Sequence, residues 1–245
     1  MADKKVALIS GANKGIGLET ARQLGELGFT VLIGARDLAK GEAAAEGLRK
    51  DGIDARAVKL EVTSQSDIDA VAKLVEDDYG KLDVLINNAG VWTDKTWGAK
   101  GVSGTPLEEL KETFDTNLFA VHALTNALLP LLKKAPAARI VNVSSILGSL
   151  TLHATEGSPI YTTKVFAYNA SKAALNMYTI HLAYELRDTK IKVNSSHPGW
   201  VKTDMGGDSA PMEITDGAKT QVQLATLGED GPSGGYFHLG EALPW

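Results

Sequence analysis

Tyr168 and Lys172 stand four residues apart, separated only by Asn169, Ala170 and Ser171. Residues at i and i+4 share one face of a helix, so the Lys172 ammonium lies in reach of the Tyr168 phenol. There it would favour the phenolate and draw a group that titrates near pH ~10 toward working range. Such a pair can pass a proton, although in isolation the same spacing is an ordinary helix face. A second feature supplies a reagent. Ser10-Gly11-Ala12-Asn13-Lys14-Gly15-Ile16-Gly17 follows a short apolar run and precedes a helical pattern. Its glycines at 11, 15 and 17 let the backbone turn tightly and admit a pyrophosphate at the helix N-terminus, where free N–H groups and the helix dipole favour an anion. At the end of the second apolar run stands Gly34-Ala35-Arg36, with no acidic residue to accept hydrogen bonds from an unmodified ribose. Arg36 offers a planar cationic fork and Lys14 a second charge, so a 2′-phosphate is met by two cations, which selects NADP(H) over NAD(H).

These groups need a scaffold. Seven short apolar runs recur between stretches of helical periodicity: Val6 to Ile9, Thr30 to Ile33, Ala55 to Leu60, Val84 to Ile86, Ile140 to Val143, Ile191 to Val193, and Tyr236 to Leu239. Runs apolar on both faces are strands covered from both sides, and their alternation with helices predicts a doubly wound α/β Rossmann fold with a seven-stranded parallel sheet. Helices are expected from Pro106 to Leu132 and from about Tyr168 to Arg187. In such sheets ligands gather at the carboxyl ends of the strands, which directs attention to the loops 11–17, 87–104, 144–167 and 197–215.

Composition narrows the function. The 245 residues are 44% hydrophobic and 22% charged, and no linker or low-complexity stretch divides them, so a single domain spanning 1–245 is expected. A net charge of -5 leaves no basic footprint for nucleic acid or an anionic membrane and points to a small-molecule partner. Cysteine is absent, which excludes disulfides, thiolate catalysis and cysteine-ligated zinc, and the five histidines show no paired ligand spacing, so no metal is expected. Met1-Ala2-Asp3-Lys4-Lys5 leads into the first strand without an apolar leader, and no apolar run reaches membrane-spanning length; a cytoplasmic protein is expected. The sequence does not choose between monomer and homo-oligomer.

Taken with Asn87-Asn88-Ala89-Gly90 after the fourth strand and Pro198-Gly199 after the sixth, the glycine loop and the Tyr168/Lys172 pair resemble the short-chain dehydrogenase/reductase family over essentially the whole chain. The Asn13 to Leu18 loop, Ala35-Arg36-Asp37 and the segment His197 to Met205 look most like its NADPH-dependent carbonyl reductases. The resemblance implies that Tyr168 is the general acid in carbonyl reduction and the base in the reverse reaction, and that Lys172 lowers the Tyr168 pKa and holds the nicotinamide ribose. Ser145, the second serine of Val143-Ser144-Ser145, is implied to polarise the substrate oxygen, with Ser144 structural. Asn117 matches the asparagine whose helix distortion positions a water linking Lys172 to solvent. For the cofactor the resemblance adds Asn13 and Ile16 in the glycine loop, and Glu61-Val62 near the adenine, where Glu61 replaces the family's shorter aspartate. It adds Asn88, Ala89 and Gly90 beside the adenosine ribose, Pro198 and Gly199 as further cofactor-binding residues, and Val201 and Thr203 at the carboxamide. Reduction requires a proton or fixed donors at the oxygen on which hydride transfer leaves negative charge, and Tyr168 and Ser145 supply both.

The chain departs from the family's plain form in the long interval Ile146 to Ala167, read as an irregular substrate-facing wall or lid offering Leu152, His153, Ile160, Tyr161 and Phe166. With Trp92 and Trp97 in the loop 91–105, and Trp200, Met205 and Met212 in the segment 200–215, it suggests a pocket for an apolar or aromatic aldehyde or ketone. The competing reading is a catalytically silent NADP-binding sensor, against which the intact Ser145, Tyr168 and Lys172 count.

Overall fold

A strand apolar on both faces must be covered twice, and the seven runs are covered in this way. The computed structural model describes residues 4–96 and 98–245; the opening tripeptide Met1 to Asp3 and Trp97, named above as a pocket candidate, lie outside the described residues. The strands are β1 (Val6–Ser10), β2 (Thr30–Ala35), β3 (Ala55–Lys59), β4 (Val84–Asn87), β5 (Arg139–Val143), β6 (Lys192–Ser196), β7 (Tyr236–His238) and β8 (Glu241–Ala242), in the spatial order β3-β2-β1-β4-β5-β6-β7-β8. The first seven are parallel, as expected, but β8 pairs antiparallel with β7, so the sheet has eight strands rather than seven. Leu239 and Gly240 both take positive φ (47° and 87°) and form the two-residue hairpin between them. That turn ends β7 at His238, although the apolar run continues through Leu239.

Helices α1 (Gly15–Glu26) and α2 (Leu38–Lys50) bury Ala21, Leu24, Ala45 and Leu48 against one face of the sheet, where α8 (Ile214–Ala225) adds Leu224 and Ala225. The other face is covered by α3 (Gln65–Tyr79), α5 (Ala120–Lys134) and α7 (Phe166–Glu185), through Ile68, Val71 and Val75, then Leu124 and Leu128, then Leu182 and Ala183. Leucine-sized side chains buried at this density stabilise by about 1.5–3 kcal/mol each relative to exposure. The helix expected from Pro106 to Leu132 is α4 (Leu107–Phe114) followed by a π-helical turn at Asp115–Phe119 and then α5. The interval before Tyr168 is less irregular than expected. It contains a 3-10 turn (Ile146–Gly148) and the short α6 (Leu150–Ala154), which Ser149 caps by accepting from the Leu152 N–H at 3.1 Å. No helix among the described residues is long and apolar enough to cross a membrane, and no group of histidine and acidic side chains among them could hold a metal.

After β1 the chain moves outward through β2 to β3 and then crosses to β4 on the other side of β1. This reversal of direction opens a crevice between the carboxyl ends of β1 and β4, where the glycine loop and Asn88-Ala89-Gly90 meet.

Candidate active site

The turn after β5 and the start of α7 carry the reactive pair. Ser145, extended at φ -158°, lies two residues beyond β5 and caps the 3-10 turn by accepting from the Leu147 N–H at 3.2 Å. Tyr168 and Lys172 lie in the first turns of α7 and are both buried. The turn and the helix approach closely at Gly148, where a Cβ would stand 2.8 Å from the Lys172 backbone carbon. A glycine there lets the Ser145 turn settle onto α7, and it brings the Ser145 hydroxyl near enough to the Tyr168 phenol to favour the ionised form.

The electrostatics differ from the simple i,i+4 expectation. Burial pushes the Tyr168 phenol up to about 12, with the nearby Ser145 hydroxyl acting in the opposite direction. Burial also brings the Lys172 ammonium down to about 8. The Lys172 Nζ donates to the Val143 carbonyl at 2.8 Å and lies 5.6 Å from the centre of the Tyr168 ring. The expected lowering of the phenol pKa by Lys172 is therefore overridden, because both groups are desolvated and the ammonium is aimed at the strand carbonyl.

Asn117 is wholly buried in the π-helical turn. Its Oδ1 accepts from the Val91 N–H at 2.8 Å, and its Nδ2 donates to the Val91 carbonyl and to Ser171 Oγ, each at 3.0 Å. Ser171 Oγ in turn donates to the Tyr168 carbonyl at 2.7 Å. One amide thus ties the strand end leading to Trp92 to the helical turn that carries Tyr168. The Trp92 ring lies 4.8 Å from that of Tyr168 at 37°. Its Nε1 donates to the Asp94 carbonyl at 2.6 Å. Asp94 organises this loop: its buried carboxylate accepts from the Thr96 N–H and hydroxyl and from the Gly98 N–H, with Lys100 at 3.4 Å. Although burial alone would raise it, these partners hold the Asp94 carboxyl below its ordinary value.

The glycine loop suits a dinucleotide. Gly11 and Gly15 take left-handed φ of 65° and 58°. A Cβ on Gly17 would stand 2.5 Å from Asn88 Nδ2 and 2.8 Å from the Gly11 carbonyl oxygen, so only glycine lets α1 start this close to β4. Lys14, the residue before α1, makes no side-chain capping bond, which leaves the first helix N–H groups to a ligand. Asn13 and Ile16 are half-buried within this loop. Ser10, not singled out from the sequence, joins the two sides of the crevice. Its Oγ accepts from the N–H groups of Asn88 and Ala89 at 3.0 Å, while Asn88 Nδ2 donates to the Ser10 carbonyl at 2.8 Å. A hydroxyl at the carboxyl end of β1 was the available signal. Gly90 brings this loop to the reactive pair, since a Cβ there would lie 3.6 Å from Lys172 Nζ.

Arg36 is exposed and makes no ion pair among the described residues, whereas Lys14 is paired with Asp204. The two cations expected to share a phosphate are thus unequal: Arg36 is free and Lys14 is already engaged. Glu61 turns its carboxylate onto Thr63, accepting from the Thr63 hydroxyl at 3.2 Å, and Val62 is buried beside Ala89. Across the crevice, the Thr203 methyl is the nearest group, 3.7 Å away, to a Cβ built on Gly15. Val201 is buried and bridges to Met212, whose sulfur lies 2.6 Å from a Cβ built on Gly199. The preceding Pro198 is half-buried.

The other pocket candidates separate by exposure. Tyr161, Phe166, Trp200 and Met205 are exposed, while Ile160 is buried in packing. His153 Nε2 reaches the Leu147 carbonyl at 3.0 Å and ties α6 to the turn after Ser145. Tyr236, read from the sequence only as the start of a strand, is buried, and burial, with Tyr168 nearby, pushes its phenol far above the ordinary value.

A model of the short chain dehydrogenase family matches residues 5–214. The chain is 33% identical to short-chain dehydrogenase/reductase 1 of Saponaria officinalis, over 100% of this chain and 97% of that one. It is 32% identical to carbonyl reductase (NADPH) 1 of Rattus norvegicus, over 100% and 99%. Its fold is similar to the crystal structure of NADPH-bound carbonyl reductase from chicken fatty liver, with a TM-score of 0.85 and 30% identity over 99% of each chain.

Proposed function

The chain belongs to the short-chain dehydrogenase/reductase family, and from that premise we propose that it is an NADP(H)-dependent carbonyl reductase, converting an apolar or aromatic aldehyde or ketone reversibly to its alcohol. The observation that carries the proposal is a buried, protonated Tyr168 phenol with the Ser145 hydroxyl near it, Lys172 behind it and Gly90 of the crevice alongside.

Bound NADPH supplies the hydride that the carbonyl carbon accepts. The chain's own groups deal with the oxygen. Ser145 donates to the carbonyl oxygen and polarises it. Tyr168 keeps its proton at neutral pH because burial holds its pKa at about 12, and it gives that proton to the oxygen as negative charge develops there. An alkoxide is the stronger base, so transfer from the phenol runs downhill. The phenolate left behind faces Lys172, whose ammonium gives up a proton more readily than a solvated lysine because burial brings it down to about 8. Asn117 keeps the Tyr168 turn and the Trp92 strand end in register and, in the widened turn, serves the water that leads from Lys172 to solvent.

For the cofactor, Gly11, Asn13, Gly15, Ile16 and Gly17 with the start of α1 take the pyrophosphate, and Arg36, assisted by Lys14, takes the 2′-phosphate. Val62 and Glu61 flank the adenine; Asn88, Ala89 and Gly90 flank its ribose. Lys172 holds the nicotinamide ribose, Val201 and Thr203 hold the carboxamide, and Pro198 and Gly199 line the cofactor beside them. The segments 91–105, 146–167 and 200–215 form the substrate side of one NADP-binding domain. With a net charge of -5 the enzyme acts on small molecules, in the cytoplasm, without nucleic acid or membrane as partner.

The test is loss of NADPH absorbance with a panel of apolar ketones, sugars and hydroxy acids. Turnover of the apolar set is expected. Tyr168→Phe should keep NADPH affinity within a few-fold while kcat falls by about three orders of magnitude. NADPH binding without turnover of any carbonyl compound would favour the silent sensor and refute the proposal.

A further inference from the structure

His197 lies just beyond the end of β6, between the turn that carries Ser145 and the Pro198-Gly199 loop. Its Nδ1 accepts two backbone hydrogen bonds, from the Ile146 N–H at 3.2 Å and from the Gly199 N–H at 3.3 Å. An imidazole nitrogen that accepts carries no proton, so the ring is neutral and bears its hydrogen on Nε2. The rest of the residue is also held. The His197 N–H donates to the Phe237 carbonyl at 2.8 Å. The His197 carbonyl accepts from His238 Nδ1 at 2.8 Å, and the two ring centres lie 4.8 Å apart with the planes tilted by 39°. Burial, with His238 adding to it, takes the His197 imidazole down to about 3, so the accepting state persists throughout the physiological range.

The two N–H groups it satisfies are significant by position. That of Ile146 directly follows Ser145 and belongs to the first turn of a 3-10 segment, where no carbonyl within the turn is available to it. That of Gly199 follows Pro198, which has no N–H of its own, at a φ of 96°. A single nitrogen thus joins two loops 51 residues apart in sequence. We propose that His197 is a positioning residue, which through its Nδ1 sets the Ser145 hydroxyl in register with the Pro198-Gly199 loop.

The inference rests on the reductase reading only for its kinetic consequence. If Ser145 polarises the carbonyl oxygen while the 198–203 loop holds the nicotinamide side, a shift between the two loops moves the oxygen relative to the incoming hydride. A displacement of about 1 Å costs on the order of a hundredfold in rate. The register itself is a property of the cofactor-free protein and can be measured there.

Three variants test it. Asn at 197 places a carbonyl oxygen where Nδ1 stands; Gln places its amide one bond farther out; Leu fills similar volume with no acceptor. In the cofactor-free protein, amide hydrogen exchange at Ile146 and Gly199 should accelerate at least about tenfold in His197→Leu and His197→Gln and stay near the original rate in His197→Asn. In the NADPH assay, kcat should fall about 10- to 100-fold in the Leu and Gln variants, with the KM for NADPH changed by less than about threefold. The isotope effect from deuterium at the transferred position should rise, and His197→Asn should recover most of the loss. Gln keeps a polar side chain, so the comparison survives if the Leu variant does not fold. Unchanged exchange at both amides in His197→Gln would overturn the proposal, as would an Asn variant as impaired as the Gln variant. Accelerated exchange in a protein whose unsubstituted form turns over no carbonyl would refute the reductase reading and leave the link between the loops standing.

Discussion

Lys172 buries an ammonium against a single carbonyl oxygen, that of Val143, and forms no ion pair among the described residues. Taking that charge out of water lowers its pKa from 10.5 to about 8. The unfolded chain therefore binds more protons than the folded one between those values, and this group's contribution to stability rises with pH across that window. Below about pH 8 the cost is fully present, at about 3 kcal/mol; at about pH 10 it has fallen to roughly 1 kcal/mol. Replacement of Lys172 by Met removes the charge and keeps an apolar stem of similar length. Urea unfolding of both proteins at about pH 7 and about pH 10 isolates the effect, because every other titrating group is common to the pair. Relative to the parent, Lys172→Met should be favoured by about 2.5 kcal/mol more at the lower pH than at the higher, while its kcat for ketone reduction collapses. A difference in unfolding free energy that does not change between the two pH values would refute the assignment of a desolvated, unpaired ammonium.

Three further outcomes follow from the same geometry. Arg36→Leu should raise the KM for NADPH about 10- to 100-fold and leave that for NADH nearly unchanged, since Lys14 is engaged with Asp204 and Arg36 is the free cation; equal losses with both cofactors would remove it from the 2′-phosphate site. Trp92→Ala takes away the ring 4.8 Å from that of Tyr168 and should raise the KM for an aryl ketone about 3- to 10-fold more than for a small aliphatic ketone, which parallel steady-state kinetics on the two substrates would establish. Gly17→Ala forces a methyl to within 2.5 Å of Asn88 Nδ2, and calorimetric titration should find NADPH binding weakened at least about tenfold in a protein that still folds.

Much of the scaffold was legible because it follows from local chemistry. The apolar runs were long enough to require cover on both faces, and the glycine spacing left little besides a tight strand-to-helix turn. Less legible were features that depend on backbone angles or on distant neighbours. The strand β8 is two residues long and exists because Leu239 and Gly240 turn through positive φ, which no hydrophobic period reveals. The 3-10 turn and α6 lay hidden in a segment whose polar and glycine residues read as loop. Trp92 was visible as a large apolar side chain, but its place on the Tyr168 ring depends on Asn117 holding Val91 and on Asp94 shaping the loop. The roles of Ser10 and His197 emerge only in the fold, because each acts through backbone groups far along the chain.

The sequence by itself determined which groups are present and which of them share a helix face: a phenol and an ammonium one turn apart, a glycine turn for an anion, and an arginine where an acid would otherwise stand. Only the tertiary structure decided the state of those groups. Desolvation is set by whatever packs around a side chain, and for Tyr168 and Lys172 that means the end of β5, the turn at Gly148 and the loop carrying Trp92. Spacing predicted a phenol eased toward its anion, whereas burial leaves a phenol that holds its proton and a lysine that parts with one readily. Charge follows solvation more closely than proximity, and solvation is settled by residues that the chain brings together only when it folds.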